Sequence, residues 1–256
     1  MLAPSQAPHY HADMTGRHAP ELPSPHPVIE VVRPSARRIS VRIDPARRAA
    51  IVTAPSKRDL PRARRFAAER ADWIAQRLAA LPRPMPFRPG AIIELEGEPV
   101  RLLAAEGRTG VRREPGMLTV GAAPGRFAAA ARKALVALAR ERLESAVARH
   151  AERLGVSIAG VSLRDTRSRW GSCSAAGALS FSWRLIAAPP AVLDYVAAHE
   201  TAHRLEMNHS ARFWAHVRAC VGDPAWARRW LRANGSRLLA LGALEAACED
   251  NAQTFV

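Results

Sequence analysis

The sequence predicts an α+β fold, with a basic, β-rich N-terminal half packed on a helical C-terminal half that carries a short antiparallel sheet. Three observations carry that expectation. Short β-branched runs bounded by turn residues dominate from Val28 to Gly125; unbroken helical periodicity begins at Phe127; and one alternating segment, Ala178 to Ile186, precedes a further set of helices.

The runs Val28 to Val32, Ile39 to Ile43 and Ala50 to Thr53 read as strands, with Asp44-Pro45 as the turn between the last two. Leu60 to Leu81 reads as one helix, because Phe66, Ala67, Trp73, Ile74 and Leu78 fall at helical separations and Pro82 and Pro84 close it. Ala91 to Leu103 and Val111 to Val120 are further strand regions, with Gly97, Gly107, Gly110 and Gly116 at turns. Pro124-Gly125 separates this module from an Ala- and Leu-rich amphipathic helix, Phe127 to Leu154.

Val161 to Arg164 is a short strand. In Ala178 to Ile186, Leu179, Phe181, Trp183 and Leu185 alternate with Ser180, Ser182 and Arg184, which gives a strand with one buried face. Pro189-Pro190 opens a helix to about Leu205, and two more helices are expected near Ala211 to Cys220 and Pro224 to Ala247. The expected organisation is a Pro/His-rich tail over residues 1–27, a β-rich module over 28–125, a second domain over 126–247 and a short tail over 248–256. The tail histidines His9, His11, His18 and His26 lack a rigid frame and read as solvated.

The formal net charge of +15 admits a polyanion such as nucleic acid as a partner. Its basic residues are scattered over the chain, so heavy surface use of arginine explains the same surplus. Cys173, Cys220 and Cys248 are odd in number and widely spaced, which suits neither a disulfide framework nor a Cys-rich zinc ribbon and fits a reducing compartment. With no apolar signal core and no run approaching the roughly 18 apolar residues of a membrane span, the expected setting is the cytoplasm, with no membrane association.

The chemistry is concentrated in His199-Glu200-Thr201-Ala202-His203, an H-E-x-x-H pattern on an expected helix. Four residues on a helix turn through about 400° and rise about 6 Å, so both imidazoles leave one face within reach of one ion. Glu200 points about 100° away, suited to holding a water at the metal rather than ligating. His209 is the candidate third ligand of a zinc site with an open fourth position, and Asn208 is a residue that tolerates a left-handed turn before it. Tyr195 and Arg184 are the nearest candidates for an oxyanion donor, although each also reads as a packing residue. An extended substrate could add to the edge of the Ala178 to Ile186 strand. Cys173 reads as a structural loop thiol, and His150 and His216 have no context that marks them as ligands. No P-loop, dinucleotide glycine fingerprint or G-x-S-x-G elbow is present.

Trp170-Gly171-Ser172-Cys173-Ser174, Trp183-Arg184-Leu185-Ile186, Tyr195-Val196, the His199 to His203 motif, Asn208-His209-Ser210 and Phe213-Trp214 together resemble the YgjP-type metallopeptidase family, itself similar to the SprT-like and WLM zinc proteases. The resemblance covers about Val28 to Leu239 and implies a zincin-like catalytic half, zinc held by His199, His203 and His209, and Glu200 as the base. Two departures stand out: Thr201 occupies a place where Leu is usual, and the N-terminal tail is extra. The expected function is therefore zinc-dependent hydrolysis of peptide bonds in a protein or peptide substrate through a Glu-activated zinc-bound water. It competes with a zinc-containing, nucleic-acid-associated binding module of weak or no peptidase activity.

Overall fold

A computed structural model of the chain describes residues 27–45, 47–105, 110–123, 125–166 and 169–243. Apart from Pro27, both expected tails lie outside these residues, as does Cys248. The architecture is mixed α+β, with six α-helices and three small sheets among the described residues.

The first sheet holds β1 (Val28–Val32), β2 (Ser40–Asp44) and β3 (Ala49–Ala54) in the order β1-β3-β2, with β1 parallel and β2 antiparallel to β3. Buried Asp44 accepts the Arg47 amide at 3.2 Å, a side chain to backbone bond that ties the link from β2 to β3. The expected helix over Leu60 to Leu81 is two helices, α1 (Leu60–Ala68) and α2 (Ala71–Ala79), broken where Arg70 leaves helical geometry. Ala63 and Ala67 of α1 and Ile74 and Leu78 of α2 bury against Ala50, Val52 and Ala54 in one apolar cluster. Alanine on both sides lets helix and strand approach closely. Arg48 donates to the Pro82 carbonyl at 2.6 Å and ties down the chain beyond α2.

The second sheet, in the order β4-β5-β7-β6, comprises β4 (Ile92–Leu95), β5 (Glu98–Ala105), β6 (Gly110–Glu114) and β7 (Met117–Gly121). Each sequence run expected as extended is thus a hairpin. In the first, Glu96 and Gly97 both take positive φ (54° and 82°), the requirement of a tight two-residue turn that matches strand twist. The long helix α3 (Phe127–Leu154) lays Ala131, Leu135, Ala139, Leu143, Ala146 and Val147 into the main core beside Leu102, Leu118 and Val120, and ends at the left-handed Gly155.

The third sheet corrects the expected antiparallel one. It contains β8 (Gly160–Arg164), β9 (Gly171–Cys173) and β10 (Ala178–Ser182) in the order β8-β10-β9, with β8 parallel and β9 antiparallel to the central β10. The alternating segment stops at Ser182, and Trp183–Ala187 tightens into a wholly buried 3-10 turn. There the Ile186 and Ala187 carbonyls accept the Glu96 and Gly97 amides at 2.7 and 3.1 Å, so the turn between β4 and β5 occupies the place where a strand partner would otherwise pair. The helices α4 (Pro190–Ala202), α5 (Ala211–Val221) and α6 (Ala225–Ala240) complete the fold; α4 is shorter than expected by one turn, and α6 ends before Ala247.

The main apolar cluster runs from Phe87 to Leu241 and joins the second sheet, α3, the third sheet and α4 to α6, whereas the first sheet with α1 and α2 has its own cluster. Among the described residues no helix is long and apolar enough to cross a membrane. Cys173 and Cys220 are free thiols.

Candidate metal centre

The helix α4 is buried along most of its length, and this fixes its last turn rigidly beneath β9 and beside α5. His199 and His203 leave the same face of that turn, and the chain then folds back over Leu205 to Asn208 to bring His209 to them. The donor atoms of the three imidazoles all lie within 4.8 Å of one another, a set able to hold a metal ion, and His199 Nε2 stands 3.1 Å from His209 Nε2.

The return of His209 depends on side chain to backbone hydrogen bonding. Asn208 does not adopt the left-handed conformation; instead its Oδ1 accepts the Ser210 amide at 2.9 Å, and the Ser210 hydroxyl caps α5 by accepting the Phe213 amide. Phe213, fully buried, is the common floor of the cluster, with ring centroids 4.8, 4.6 and 4.7 Å from His199, His203 and His209. Trp214 closes one side at 5.9 Å from His199 and 6.0 Å from His209.

Outer contacts orient the rings. His203 Nδ1–H donates to the Glu206 carbonyl at 3.0 Å, which leaves its Nε2 free, and Tyr195 Oη lies 3.4 Å from His199 Nδ1 with the same effect. Burial, the neighbouring His203 and His209, and the Arg228 charge hold the His199 pKa down to about 3. Burial also lowers that of His203, against the pull of the Glu206 carbonyl. Neutral imidazoles with free Nε2 atoms are the form in which histidine ligates, so the donor set fits a metal.

Glu200 is only 6% exposed and projects away from the imidazoles towards β9. Burial raises its pKa to about 7, with the Arg169 charge opposing. Gly171 of β9 lies directly against it: a Cβ there would stand 2.5 Å from Glu200 Cγ and 2.6 Å from Oε1. Sequence spacing identifies Glu200 and the three histidines but not Gly171 or Arg169, because these come from a different strand and loop; the Trp170 to Ser174 run is the only trace of them in the sequence. Thr201 is buried where an apolar residue is usual, and its hydroxyl is satisfied by the Ala197 carbonyl at 2.8 Å within the helix.

Other candidates fall elsewhere. Arg184 is buried away from the histidines, ion-paired with Asp165 and donating to the Leu241 carbonyl, so it is no oxyanion donor. Tyr195 backs His199 rather than standing free. Because β10 is central in its sheet, it has no free edge for a substrate strand; among the described residues β8 and β9 are the edge strands. The Cys173 thiol is pushed up by burial and is not activated. His150 has a context the sequence does not show: it is 4% exposed and lies 2.9 Å from Asp194 of α4.

A mixed α+β chain with three convergent imidazoles and an adjacent buried carboxylate has the donor set of a hydrolytic metalloprotein. Residues 37–234 match the family model described as YgjP-like, metallopeptidase domain, and the chain belongs to that family. Membership implies a metal ion, and the histidine triad is able to bind one. Neither curated proteins nor solved structures give a match.

Proposed function

We propose that the protein is a zinc-dependent peptidase in which His199, His203 and His209 hold the ion and Glu200 is the general base. The observation that carries this reading is the placement of a buried carboxylate one residue after the first of three converging imidazoles. Zinc with nitrogen ligands at about 2.0–2.1 Å in a tetrahedron needs donors about 3.3 Å apart, and the 3.1 Å between His199 and His209 Nε2 is close to that. An all-histidine triad also leaves an open position, whereas structural sites close with four protein ligands and favour cysteine.

When bound, zinc supplies a lowered pKa for a coordinated water and polarises the peptide carbonyl. Glu200 takes the proton from the attacking water and returns it to the departing amine. Its raised pKa suits both halves of that transfer near neutrality. The edge strand β9, with Glu200 against the face of its Gly171, offers main-chain hydrogen bonds to an extended substrate segment.

The test is metal content and casein cleavage for wild type, His199→Ala and Glu200→Gln. One zinc per wild-type chain, lost with His199→Ala but kept with Glu200→Gln, and cleavage lost in both variants, is expected. Stoichiometric metal with no Glu200-dependent cleavage would favour the nucleic-acid-associated module, recognisable by nucleic-acid affinity that falls with salt. Absence of metal in wild type refutes both.

A further inference from the structure

Several arginines near the second and third sheets have carboxylate partners: Arg113 and Arg142 with Glu96, Arg132 and Arg184 with Asp165, Arg149 with Asp194, Arg237 with Glu94. Three around the histidine triad do not. Among the described residues Arg169, Arg228 and Arg232 are exposed and carry no ion pair to a carboxylate.

These three approach the site from two elements. Arg228 and Arg232, four residues apart on α6, share one helix face. The Arg228 guanidinium lies over the Trp214 ring at 4.4 Å from its centroid, and Trp214 is itself packed on His199 and His209. The Arg228 charge reaches both His199 and Tyr195, and that of Arg232 reaches Tyr195. Arg169, immediately before the Trp170-Gly171 step into β9, reaches Glu200, and Trp170 beside it packs against Gly235 of α6. Glu200, the carboxylate at the centre, is buried and committed to Gly171, and Glu206 faces Arg212 at 4.0 Å.

We propose that the cleft selects peptide substrates with acidic side chains flanking the scissile bond, through Arg169, Arg228 and Arg232. This rests on the peptidase reading and deepens it. Three exposed guanidinium groups without an ion-paired carboxylate set a positive potential at the mouth of the site, and a divalent ion adds to it. Such a cleft raises the local concentration and on-rate of an anionic substrate, and salt weakens the effect. Aspartate or glutamate in an extended chain running along β9 comes within reach of Arg169, at the start of that strand, and of the α6 pair. Arg228 is preorganised for bidentate contact because stacking on Trp214 holds its plane. Nucleic acid is the poorer fit, because strand binding needs successive open aromatic platforms, and of the rings packed on the triad Phe213 and Tyr195 are buried and Trp214 lies under the Arg228 guanidinium.

The experiment uses the full zinc-loaded chain and two peptides of one internally quenched scaffold, with glutamate or with lysine on both sides of the scissile bond. Wild type should favour the glutamate peptide in kcat/KM by about tenfold or more, chiefly through KM and less so as salt rises. Arg228→Gln with Arg232→Gln should erase that preference, and Arg228→Glu with Arg232→Glu should reverse it, each with unchanged metal content and circular dichroism. Equal cleavage of the two peptides by wild type, or an unaltered preference in correctly folded variants, overturns the proposal. Binding of both labelled peptides to Glu200→Gln, read by fluorescence anisotropy, separates the two readings. Charge-selective binding without cleavage by wild type sinks the peptidase and keeps the acidic-ligand cleft; equal binding sinks the cleft alone. Displacement of the glutamate peptide by neutral competitor peptide but not by salt also overturns it, as does exclusive binding of single-stranded DNA.

Discussion

Gly171→Ala isolates the carboxylate from the metal. The added methyl would stand 2.5 Å from Glu200 Cγ, 2.7 Å from Cδ and 2.6 Å from Oε1, against an ordinary carbon–carbon contact of about 3.5–4.0 Å. One of the two must therefore give by about 1 Å. Gly171 is paired with Phe181 in the ladder to β10, and Phe181 is fully buried, so β9 resists moving; Glu200 must turn away instead. A displacement of about 1 Å at a reacting group costs on the order of 100-fold in rate, and the overpacking costs about 1–3 kcal/mol of stability. The assay is kcat on casein or a quenched peptide, beside zinc stoichiometry and a denaturant melt. Gly160→Ala in β8 is the matched control, because a Cβ there meets nothing within 4 Å. The expected result is a Gly171→Ala chain that keeps its zinc and loses turnover, with Gly160→Ala active. Full activity in Gly171→Ala while Glu200→Gln is dead would refute the reasoning.

Two other outcomes are expected. Phe213→Ala removes the floor shared by the three imidazoles and should cost about 3–5 kcal/mol and weaken metal binding; a loss under about 1 kcal/mol with unaltered zinc affinity would show that the ring supports nothing. His150 of α3 is opposed by burial, yet hydrogen bonds and charge from Asp194 and Cys220 raise its pKa from 6.5 to about 9, and Arg149 competes for the same Asp194 carboxylate. A raised folded-state pKa means that the pair's contribution, about 3 kcal/mol, is complete below pH 6.5 and is lost as pH rises through 9. Melting midpoints of wild type and His150→Gln should therefore converge across that window, and a constant gap between them would sink the assignment.

The convergence of the three histidines was legible because it is local. The spacing of His199 and His203 on a helix, and of His209 one turn beyond it, contains most of its geometry. The breaks in regular structure were not legible. Ala63, Ala67, Ile74 and Leu78 keep helical spacing across the interruption at Arg70, so periodicity alone cannot separate α1 from α2. Leu179 to Leu185 alternates as a strand does, but Trp183–Ala187 lies inside the core on every side, where its carbonyls meet the Glu96-Gly97 turn from far back in the chain. Arg184 is the clearest case: the alternation puts it on a polar face, whereas it is 5% exposed and tied to Asp165 and Leu241. His150 likewise needs Asp194 from another helix to acquire meaning.

The same division by distance along the chain separates capturing the ion from using it. All three imidazoles and the Phe213 ring beneath them come from one short, continuous stretch, which needs few remote contacts to assemble once α4 and α5 meet. The wall that aims Glu200 comes from β9, which must first be zipped to β10. On the proposed mechanism, a chain damaged in the third sheet would therefore remain a competent metal binder with no control over where its base points, and metal content alone would report it as intact.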